Sequence, residues 1–581
     1  MAGHSLDFRN VNALWSSVLV ETLVRSGVTH AVISPGSRST PLTIALARHP
    51  GIAATPVLDE RSAAFFALGL AKASGNPVVL VCTSGTATAN YFPAVIEAHE
   101  SGVPLLVLTA DRPPELRASA SGQTIDQQKI YGDYVRHYHE LAVPAADPAL
   151  LRYLRQTVTH AVARTLGAGG GPVHLNASFR DPLPPISDGG VAERAVAGID
   201  WPEFFSQVAP PRFTATVLAG GALPTGARGL IVVGPAQPKN IEEFVDAVGA
   251  IARRLGWPVL AEGLSPLRHH AARVPQLVTT YDTILRNAAV AGQLKPDAVL
   301  CLGGWPTSKV LRAWLEECDA PTWLATERLD NRDALHLRTQ TLPVSLPVLA
   351  AVLPASTAPG DYAARWARGE QLARTGLDQR LRAETGLFEA KAAWLLAQYL
   401  PARTPFFISN SMPIRDVEYV TPATDRALRP LCNRGANGID GTLSTALGVA
   451  QAADRPAVLL TGDLALLHDT NGFLIAPKFR GALTIVLIDN HGGGIFGHLP
   501  VAQFDPPFEE FFATPQAVDF GRLCAAYPDI DYTLISDWEA FTRAIATLPA
   551  RGIRVLHLRT DRAADAGRRK QLFAEVAAAV G

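Results

Sequence analysis

The sequence predicts an α/β protein: three α/β domains with parallel sheets, the first and last of them related. Three observations predict it. Short apolar runs alternate with Ala-rich helical patterns along the chain, each run closes on Gly, Ser, Asp or Pro, and a segment of the first third recurs in the last. Runs of this length, ended by turn residues and followed by a helical period, are what βαβ units leave in a sequence.

The runs lie at 31–34, 78–82, 105–109, 230–233, 298–302, 457–461 and 484–488. Two stretches break the rhythm. Residues 181–229, rich in Pro and Gly, read as a crossing linker, and 354–360 read as a shorter one. They divide the 581 residues into thirds at 1–190, 200–355 and 375–581. A chain of this length suggests roughly three or four domains.

Residues 67–80 align without gaps on 446–459, with eight of the fourteen positions identical. The same offset lays 105–111 on 484–490, so that two strands each end at an acid or an amide, Asp111 and Asn490. Chance similarity of Ala-rich helix-turn-strand segments competes with duplication here. The shared offset favours diverged copies of one domain.

Formal net charge is −1, with 48% apolar and 18% charged residues. This balance has no electrostatic footprint for nucleic acid or an anionic membrane, so an anionic ligand must be met by locally placed Arg and Lys. Five cysteines (Cys82, Cys301, Cys318, Cys432, Cys524) are scattered without a CxxC pair, which argues against a disulfide framework or a zinc site. No uncharged apolar run approaches the ~20 residues of a membrane span. The first twenty residues lack a basic region followed by an unbroken apolar stretch. A soluble cytoplasmic protein without a signal peptide is expected.

The strongest chemical signal lies in the last third. The strand pattern 456–461 ends in Gly462-Asp463, and twenty-seven residues after Asp463 the next strand has ended in Asp489-Asn490-His491-Gly492-Gly493-Gly494. Ligands in open α/β sheets sit beyond the carboxyl ends of strands, and adjacent parallel strands would bring these loops together. Mg²⁺ takes hard oxygen ligands and draws few of them from the protein. The Asp463 carboxylate, the Asn490 amide oxygen and a backbone carbonyl near Gly492 suit it, and the glycines let backbone approach a diphosphate. Either loop alone is an ordinary strand-end turn; their spacing in a βαβ context favours the site.

With that motif the sequence resembles the thiamine-diphosphate (ThDP) enzymes, which have a Gly-Asp…Asn metal motif in the last third and a duplicated α/β core around a middle domain. A glutamate before an Ala-rich helix of the first third is their other mark, matched here by Glu60 in 59–69. The resemblance narrows to the 2-succinyl-5-enolpyruvyl-6-hydroxy-3-cyclohexene-1-carboxylate synthase family. Its carriers are Ser34-Pro-Gly-Ser-Arg-Ser39, Thr83-Ser-Gly-Thr-Ala-Thr88, Ala110-Asp-Arg-Pro113, Gly122-Gln-Thr-Ile-Asp-Gln127, Asn433-Arg-Gly-Ala-Asn-Gly-Ile-Asp440 and Gly493-Gly-Ile-Phe496. It is thin from about 190 to 290 and strong at both ends. Leu464 stands where the wider family often has Gly, as in this subgroup, and Gly122 stands where some synthases carry Asn.

The resemblance implies a pyrimidine-binding domain at 1–190, a Rossmann-like central domain at 200–355 and a diphosphate-binding domain at 375–581. It implies ThDP with Mg²⁺, or Mn²⁺, held by Asp463, Asn490 and Gly492, with Gly462, Leu464, Gly493, Ile439, Ile495 and Phe496 also at the cofactor. Glu60 would hydrogen-bond N1′ of the aminopyrimidine and promote loss of the thiazolium C2 proton, a task for a carboxyl placed beside an apolar helix. The implied reaction decarboxylates 2-oxoglutarate and adds the succinyl unit to isochorismate by 1,4-addition, in menaquinone biosynthesis. Both substrates carry two carboxylates, which Arg forks grip bidentately. By resemblance Ser411, Arg415 and Arg434 hold the succinyl end, and Ser37, Arg38, Arg112, Gln123 and Lys309 hold isochorismate. A helical turn would put Ser411 and Arg415 on one face. His468, His491 and His498 match no role and read as structural or surface residues. Glu60 of one subunit would serve the cofactor held by another, making a homodimer or homotetramer with active sites at the interface. Two other readings stay open: a different ThDP enzyme, such as an acetolactate-synthase-like enzyme or a 2-oxoacid decarboxylase, and an inactive ThDP-fold metabolite sensor.

Overall fold

The computed structural model describes residues 6–213, 223–328, 330–354, 360–504, 507–527 and 529–581. Among them, three six-stranded sheets form, and every neighbouring strand pair is parallel. The first holds β1 (His30–Ile33), β2 (Ala53–Pro56), β3 (Val78–Cys82), β4 (Leu105–Asp111), β5 (His137–Glu140) and β6 (Val173–Ser178), in the order β2-β1-β3-β4-β6-β5. The second holds β7 (Gly229–Val233), β8 (Val259–Ala261), β9 (Leu277–Val278), β10 (Ala298–Leu302), β11 (Thr322–Thr326) and β12 (Thr339–Pro343), in the order β12-β11-β10-β7-β8-β9. The third holds β13 (Pro405–Ile408), β14 (Arg429–Leu431), β15 (Ala457–Gly462), β16 (Ala482–Asp489), β17 (Ile530–Leu534) and β18 (Gly552–Arg559), in the order β14-β13-β15-β16-β18-β17.

Counted from its own first strand, the third sheet repeats the order of the first. The first and last thirds are therefore related in topology as well as in the repeated segment. The middle sheet, counted the same way from its far edge, has the doubly wound Rossmann order. Helices cover both faces of such sheets, so central strands are apolar without alternation. β3, β4 and β16 are buried along their whole length and are mostly apolar.

The sheets fall within the expected thirds, but the packing boundaries differ. Of the described residues, those up to Phe213 form one compact unit with Asn433–Ala453 and Asp469–Arg480; those from 223 to Cys432 form another with Asp454–His468 and Gly481–Gly581. The expected linker at 181–229 begins too early. Helices Val191–Ala195 and Trp201–Phe204 lie in it, and Leu183, Ala192, Val196, Phe204 and Phe205 are buried in the first core. Its Pro and Gly content masked these apolar anchors. Near the second boundary, the helix Asp361–Ala383 runs through position 375, burying Tyr362, Trp366 and Leu377 in the core of the second unit. Most of the expected linker at 354–360 lies outside the described residues.

The helices Glu60–Ser74 and Thr442–Ala452 belong to the repeated segments and pack on each other within the first unit. Gly69 and Gly448 occupy equivalent repeat positions. A Cβ on Gly69 would lie 2.0 Å from the Thr445 carbonyl oxygen, and one on Gly448 would lie 2.1 Å from that of Phe66. Each glycine thus admits the other helix's backbone, and the approach is reciprocal. Neither obstacle is a flexible side chain, so an added methyl forces backbone to move. Gly69→Ala and Gly448→Ala should each destabilise the protein by about 1–3 kcal/mol, the usual cost of overpacking. A methyl on Gly292, in the helix Ala288–Gln293, would meet no atom within 4 Å among the described residues. Gly292→Ala should instead stabilise by up to ~1 kcal/mol. Denaturant unfolding checks the opposite signs; a neutral Gly69→Ala would contradict the crossing.

Candidate active site

β15 and β16 pair in parallel with Gly462 opposite Ile488, so both strands end at the same sheet edge. Asp463 opens the helix Asp463–His468, and its carboxylate accepts from the Leu464 N–H at 2.8 Å and the Gly492 N–H at 2.7 Å. Burial pushes Asp463 up to about 6, while these two donors pull it down. The turn after β16 needs left-handed backbone at His491 (φ 58°) and Gly492 (φ 123°). A Cβ on Gly492 would meet the Ala513 carbonyl oxygen at 2.2 Å, and that oxygen also accepts from the Gly493 N–H at 2.7 Å. Ile495 and Phe496 follow, half-buried, in the 3₁₀ turn Gly494–His498.

Two features fit this edge to a cation and a diphosphate. The Asn490 Oδ1 is buried with no hydrogen-bond partner among the described residues. A Cβ on Gly462 would meet nothing within 4 Å, so the chain's own described packing does not demand glycine there, and space remains for a ligand against the backbone. The Gly492 carbonyl accepts from the Gly494 N–H at 2.8 Å and keeps a second lone pair. Among the described residues, no group of three or more His, Cys, Asp or Glu could hold a metal ion. A cation at this edge would therefore draw on one carboxylate, one amide, a carbonyl and ligand oxygens, which is how Mg²⁺ is commonly held.

The amide end of Asn490 is anchored. Its Nδ2 donates to Glu389 Oε1 at 2.5 Å. Glu389 Oε2 accepts from Arg569 Nη2 at 2.8 Å, and Arg569 forks onto Asp416 through Nε (2.8 Å) and Nη2 (3.0 Å). Glu389, Asp416 and Arg569 are all buried. Burial pushes Asp416 up to about 6, against the pull of Arg569.

Asp416 adjoins Arg415 on the helix Met412–Val420. Ser411 does not join the helical turn expected for it: it caps the helix at φ 72°, unusual for a residue with a side chain, and Arg415 Nη1 donates to its carbonyl at 2.6 Å. Arg415 lines a cavity of about 790 Å³ with Arg286, Lys309, Arg569, Lys570 and Ile495, and none of its described lining residues is Asp or Glu. Lys309 opens the helix Lys309–Cys318 and is exposed. Arg286 is paired with Asp282 at 2.8 Å and lies 4.9 Å over the Phe573 ring. His498, read from sequence as structural or surface, lines this cavity 3.3 Å from Arg569 Nη1. His468 and His491 are exposed.

In the first unit, adjacent strands β1, β3 and β4 bring three loops together. Ser37, exposed, and Arg38, buried, follow β1. Arg38 Nη1 donates to the Phe179 carbonyl at 2.8 Å, while its Nε is buried without a partner among the described residues. Burial, and then the nearby Arg112 guanidinium, lower the pKa of Arg38. Arg112 follows β4 and donates through Nη2 to the Gly122 carbonyl at 2.9 Å. Gln123 Nε2 donates to the Ser84 carbonyl at 3.1 Å, and Ser84 Oγ donates to the Gln123 carbonyl at 2.9 Å. Glu60 is the first residue of its helix, half-buried, behind the N-cap Asp59. Arg434 and Ile439 are half-buried in the same unit. The buried Glu97 carboxylate holds their loop, accepting from the Gly435 N–H at 3.0 Å and the Ala436 N–H at 2.7 Å.

The structure thus gathers Gly462, Asp463, Leu464, Asn490, Gly492, Gly493, Ile495 and Phe496 at one sheet edge, and Lys309 with Arg415 on one cavity. Ser37, Arg38, Arg112 and Gln123 gather at the edge of the first sheet. Glu389, Asp416, Arg569, Arg286, Lys570 and Glu97 escaped the sequence reading, since none sits in a recognisable motif.

Three family patterns match the chain: the thiamine pyrophosphate enzyme N-terminal TPP binding domain over residues 15–130, the middle domain of thiamine pyrophosphate over 224–408, and the thiamine pyrophosphate enzyme C-terminal TPP binding domain over 424–557. Among curated relatives, the 2-succinyl-5-enolpyruvyl-6-hydroxy-3-cyclohexene-1-carboxylate synthase of Microcystis aeruginosa is 56% identical over 562 residues, covering 96% of this chain and 98% of the relative. The protein of that name from Gloeothece citriformis is 52% identical over 572 residues, covering 97% and 98%. Among solved structures, the Rhodococcus jostii RHA1 thiamine diphosphate-dependent 4-hydroxybenzoylformate decarboxylase aligns with a TM-score of 0.69 at 16% identity, covering 94% of this chain and 99% of that one, a likeness of fold alone. The chain belongs to the 2-succinyl-5-enolpyruvyl-6-hydroxy-3-cyclohexene-1-carboxylate synthase family of thiamine pyrophosphate enzymes.

Proposed function

We propose that the chain is a synthase of menaquinone (vitamin K2) biosynthesis that decarboxylates 2-oxoglutarate and joins the succinyl carbanion equivalent to isochorismate by 1,4-addition. Its cofactors are thiamine diphosphate and Mg²⁺, which Mn²⁺ can replace. The observation that carries this reading is the cavity that combines Lys309 and Arg415 with Ile495 of the loop after β16 and has no carboxylate among its described lining residues. Two dianionic substrates need cations gathered locally, since the chain as a whole has a net charge of only −1. Its working form is a cytoplasmic homodimer or homotetramer with sites between subunits; no described helix is long and apolar enough to cross a membrane.

When bound, thiamine diphosphate supplies the acidic thiazolium carbon and the electron sink for decarboxylation. Asp463, Asn490 and the Gly492 carbonyl hold the cation, with Gly462, Leu464 and Gly493 at the diphosphate. Ile439, Ile495 and Phe496 exclude water from the rings. Glu60 holds and moves a proton at N1′ of the pyrimidine. Ser411, Arg415 and Arg434 grip the carboxylates of 2-oxoglutarate. Ser37, Arg38, Arg112, Gln123 and Lys309 orient isochorismate. The buried Arg38 Nε, left without a partner among the described residues, supports this last role.

The direct test mixes the protein with ThDP, Mg²⁺, 2-oxoglutarate and isochorismate and follows loss of isochorismate absorbance. Turnover is expected with 2-oxoglutarate and not with pyruvate; the reverse preference would sink the substrate assignment. Arg415→Ala and Lys309→Ala should each lower kcat/KM by roughly 10–100-fold, the loss of one charge-assisted contact of about 1.5–3 kcal/mol. The Arg415 loss is expected in the 2-oxoglutarate titration and the Lys309 loss in the isochorismate titration. Glu60→Gln should keep ThDP affinity while kcat falls about 10²–10⁴-fold; unchanged kcat would exclude the proton role.

A further inference from the structure

An amide ligand has a problem that a carboxylate does not. Its oxygen can bind a cation, but its –NH₂ cannot, and the two ends are nearly the same shape. Something must decide which end faces the metal. At Asn490 the deciding group is visible. Nδ2 lies 2.5 Å from Glu389 Oε1, and a carboxylate can only accept, so the –NH₂ must point to Glu389. Oδ1 is then the end left buried without a partner among the described residues.

We infer that Glu389 is a positioning residue: its carboxylate locks the Asn490 amide with Oδ1 turned toward the divalent cation, and Arg569 holds that carboxylate in place. The inference rests on the reading of Asp463, Asn490 and Gly492 as the cation's protein ligands. Glu389 is well suited to the task. It opens the helix Glu389–Tyr399, where the helix dipole favours a negative group. Its other oxygen takes Arg569 Nη2 at 2.8 Å, so the carboxylate cannot rotate without losing a buried charge-assisted bond. Its N–H donates to Asp565 Oδ2 at 3.1 Å, which ties down the backbone. Arg569 also forks onto Asp416, the neighbour of Arg415. One guanidinium therefore joins the cation loop to the helix that carries Arg415 into the basic cavity.

The chemistry makes a sharp test. In Glu389→Gln, the introduced amide keeps its oxygen on Arg569 and turns its –NH₂ to Asn490, which must flip and aim its own –NH₂ at the cation. In Asn490→Asp, two carboxylates face each other. In the double variant Glu389→Gln/Asn490→Asp, the –NH₂ introduced at position 389 donates to the carboxylate introduced at position 490, and one hydrogen bond survives with its direction reversed. Mn²⁺ binding to the full-length protein at saturating ThDP, read as free Mn²⁺ by electron paramagnetic resonance, reports on this without turnover. Wild type should bind. Glu389→Gln should raise the Mn²⁺ Kd by about 10–100-fold, as loss of an orienting partner commonly does. The double variant should bind at least about tenfold more tightly than Asn490→Asp alone, a coupling well above the error of additive sites. Glu418→Gln, at an equally buried carboxylate paired with Arg268, should leave the Kd unchanged. A folded Glu389→Gln with wild-type Kd would overturn the inference. So would a double variant no tighter than Asn490→Asp, a comparison that stands even if Glu389→Gln alone does not fold. Failure of wild type to bind Mn²⁺ with ThDP would instead remove the cation-site reading beneath it.

Discussion

Because β15 and β16 run parallel with Gly462 opposite Ile488, the chain direction delivers Asp463 and the 490–493 turn to one sheet edge. Everything else at the candidate site is arranged around that delivery. The turn can close on Asp463 because Gly492 adopts a backbone closed to other residues and gives its N–H to the carboxylate. The register then leaves the Asn490 oxygen buried and unpaired among the described residues, a state that costs roughly 1–3 kcal/mol unless a ligand compensates it. A fold tolerates such a cost where a cation offsets it.

The duplication explains how one topology came to do two jobs. The offset that relates Gly69 to Gly448 also relates Asp111 to Asn490, each at the end of the fourth strand of its sheet. The Asp111 carboxylate is engaged within the protein, accepting from the Arg112 N–H and from Asn176 Nδ2 and pairing with Arg117 at 3.0 Å. It steadies the loop that presents Arg112. The Asn490 amide instead engages only its nitrogen and keeps its oxygen. One position thus steadies an arginine-bearing loop in one copy and leaves an amide oxygen open in the other.

Charge is organised by burial and not by quantity. A net charge of −1 hides a cavity whose described charged lining is basic. Lys309 and Lys570 are exposed there, whereas Arg569 is already committed to Asp416 and Glu389. The committed guanidinium holds the helices and the loop around it together, and the lysines stay exposed to solvent. Removing one partner from so buried a cluster would strand the others, which keeps its geometry fixed.

Much of this was legible in sequence, for physical reasons. Strands buried on both faces are mostly apolar, so β3, β4 and β16 stand out. Edge strands such as β5, His-Tyr-His-Glu, and β17, Ile-Asp-Tyr-Thr-Leu, contain no fully buried residue and leave no such run. Asp463, Asn490 and the glycines are local, with spacing set by one βαβ unit, and the resemblance carried Glu60 and the arginines. The burial of 183–205 was not legible, because its few apolar anchors are scattered among Pro and Gly. Nor was the ordering of Asn490 by Glu389 and Arg569. Those contacts span 101 and 180 residues, and each partner belongs to a different helix or loop. By itself the sequence determined the parallel α/β class, its central strands, the duplication and which residues were candidates for a cation, since these follow from local period and spacing. Only the tertiary structure decided which end of the Asn490 amide is hydrogen-bonded and which is left open, because a buried carboxylate and its guanidinium must be brought from far along the chain to choose it.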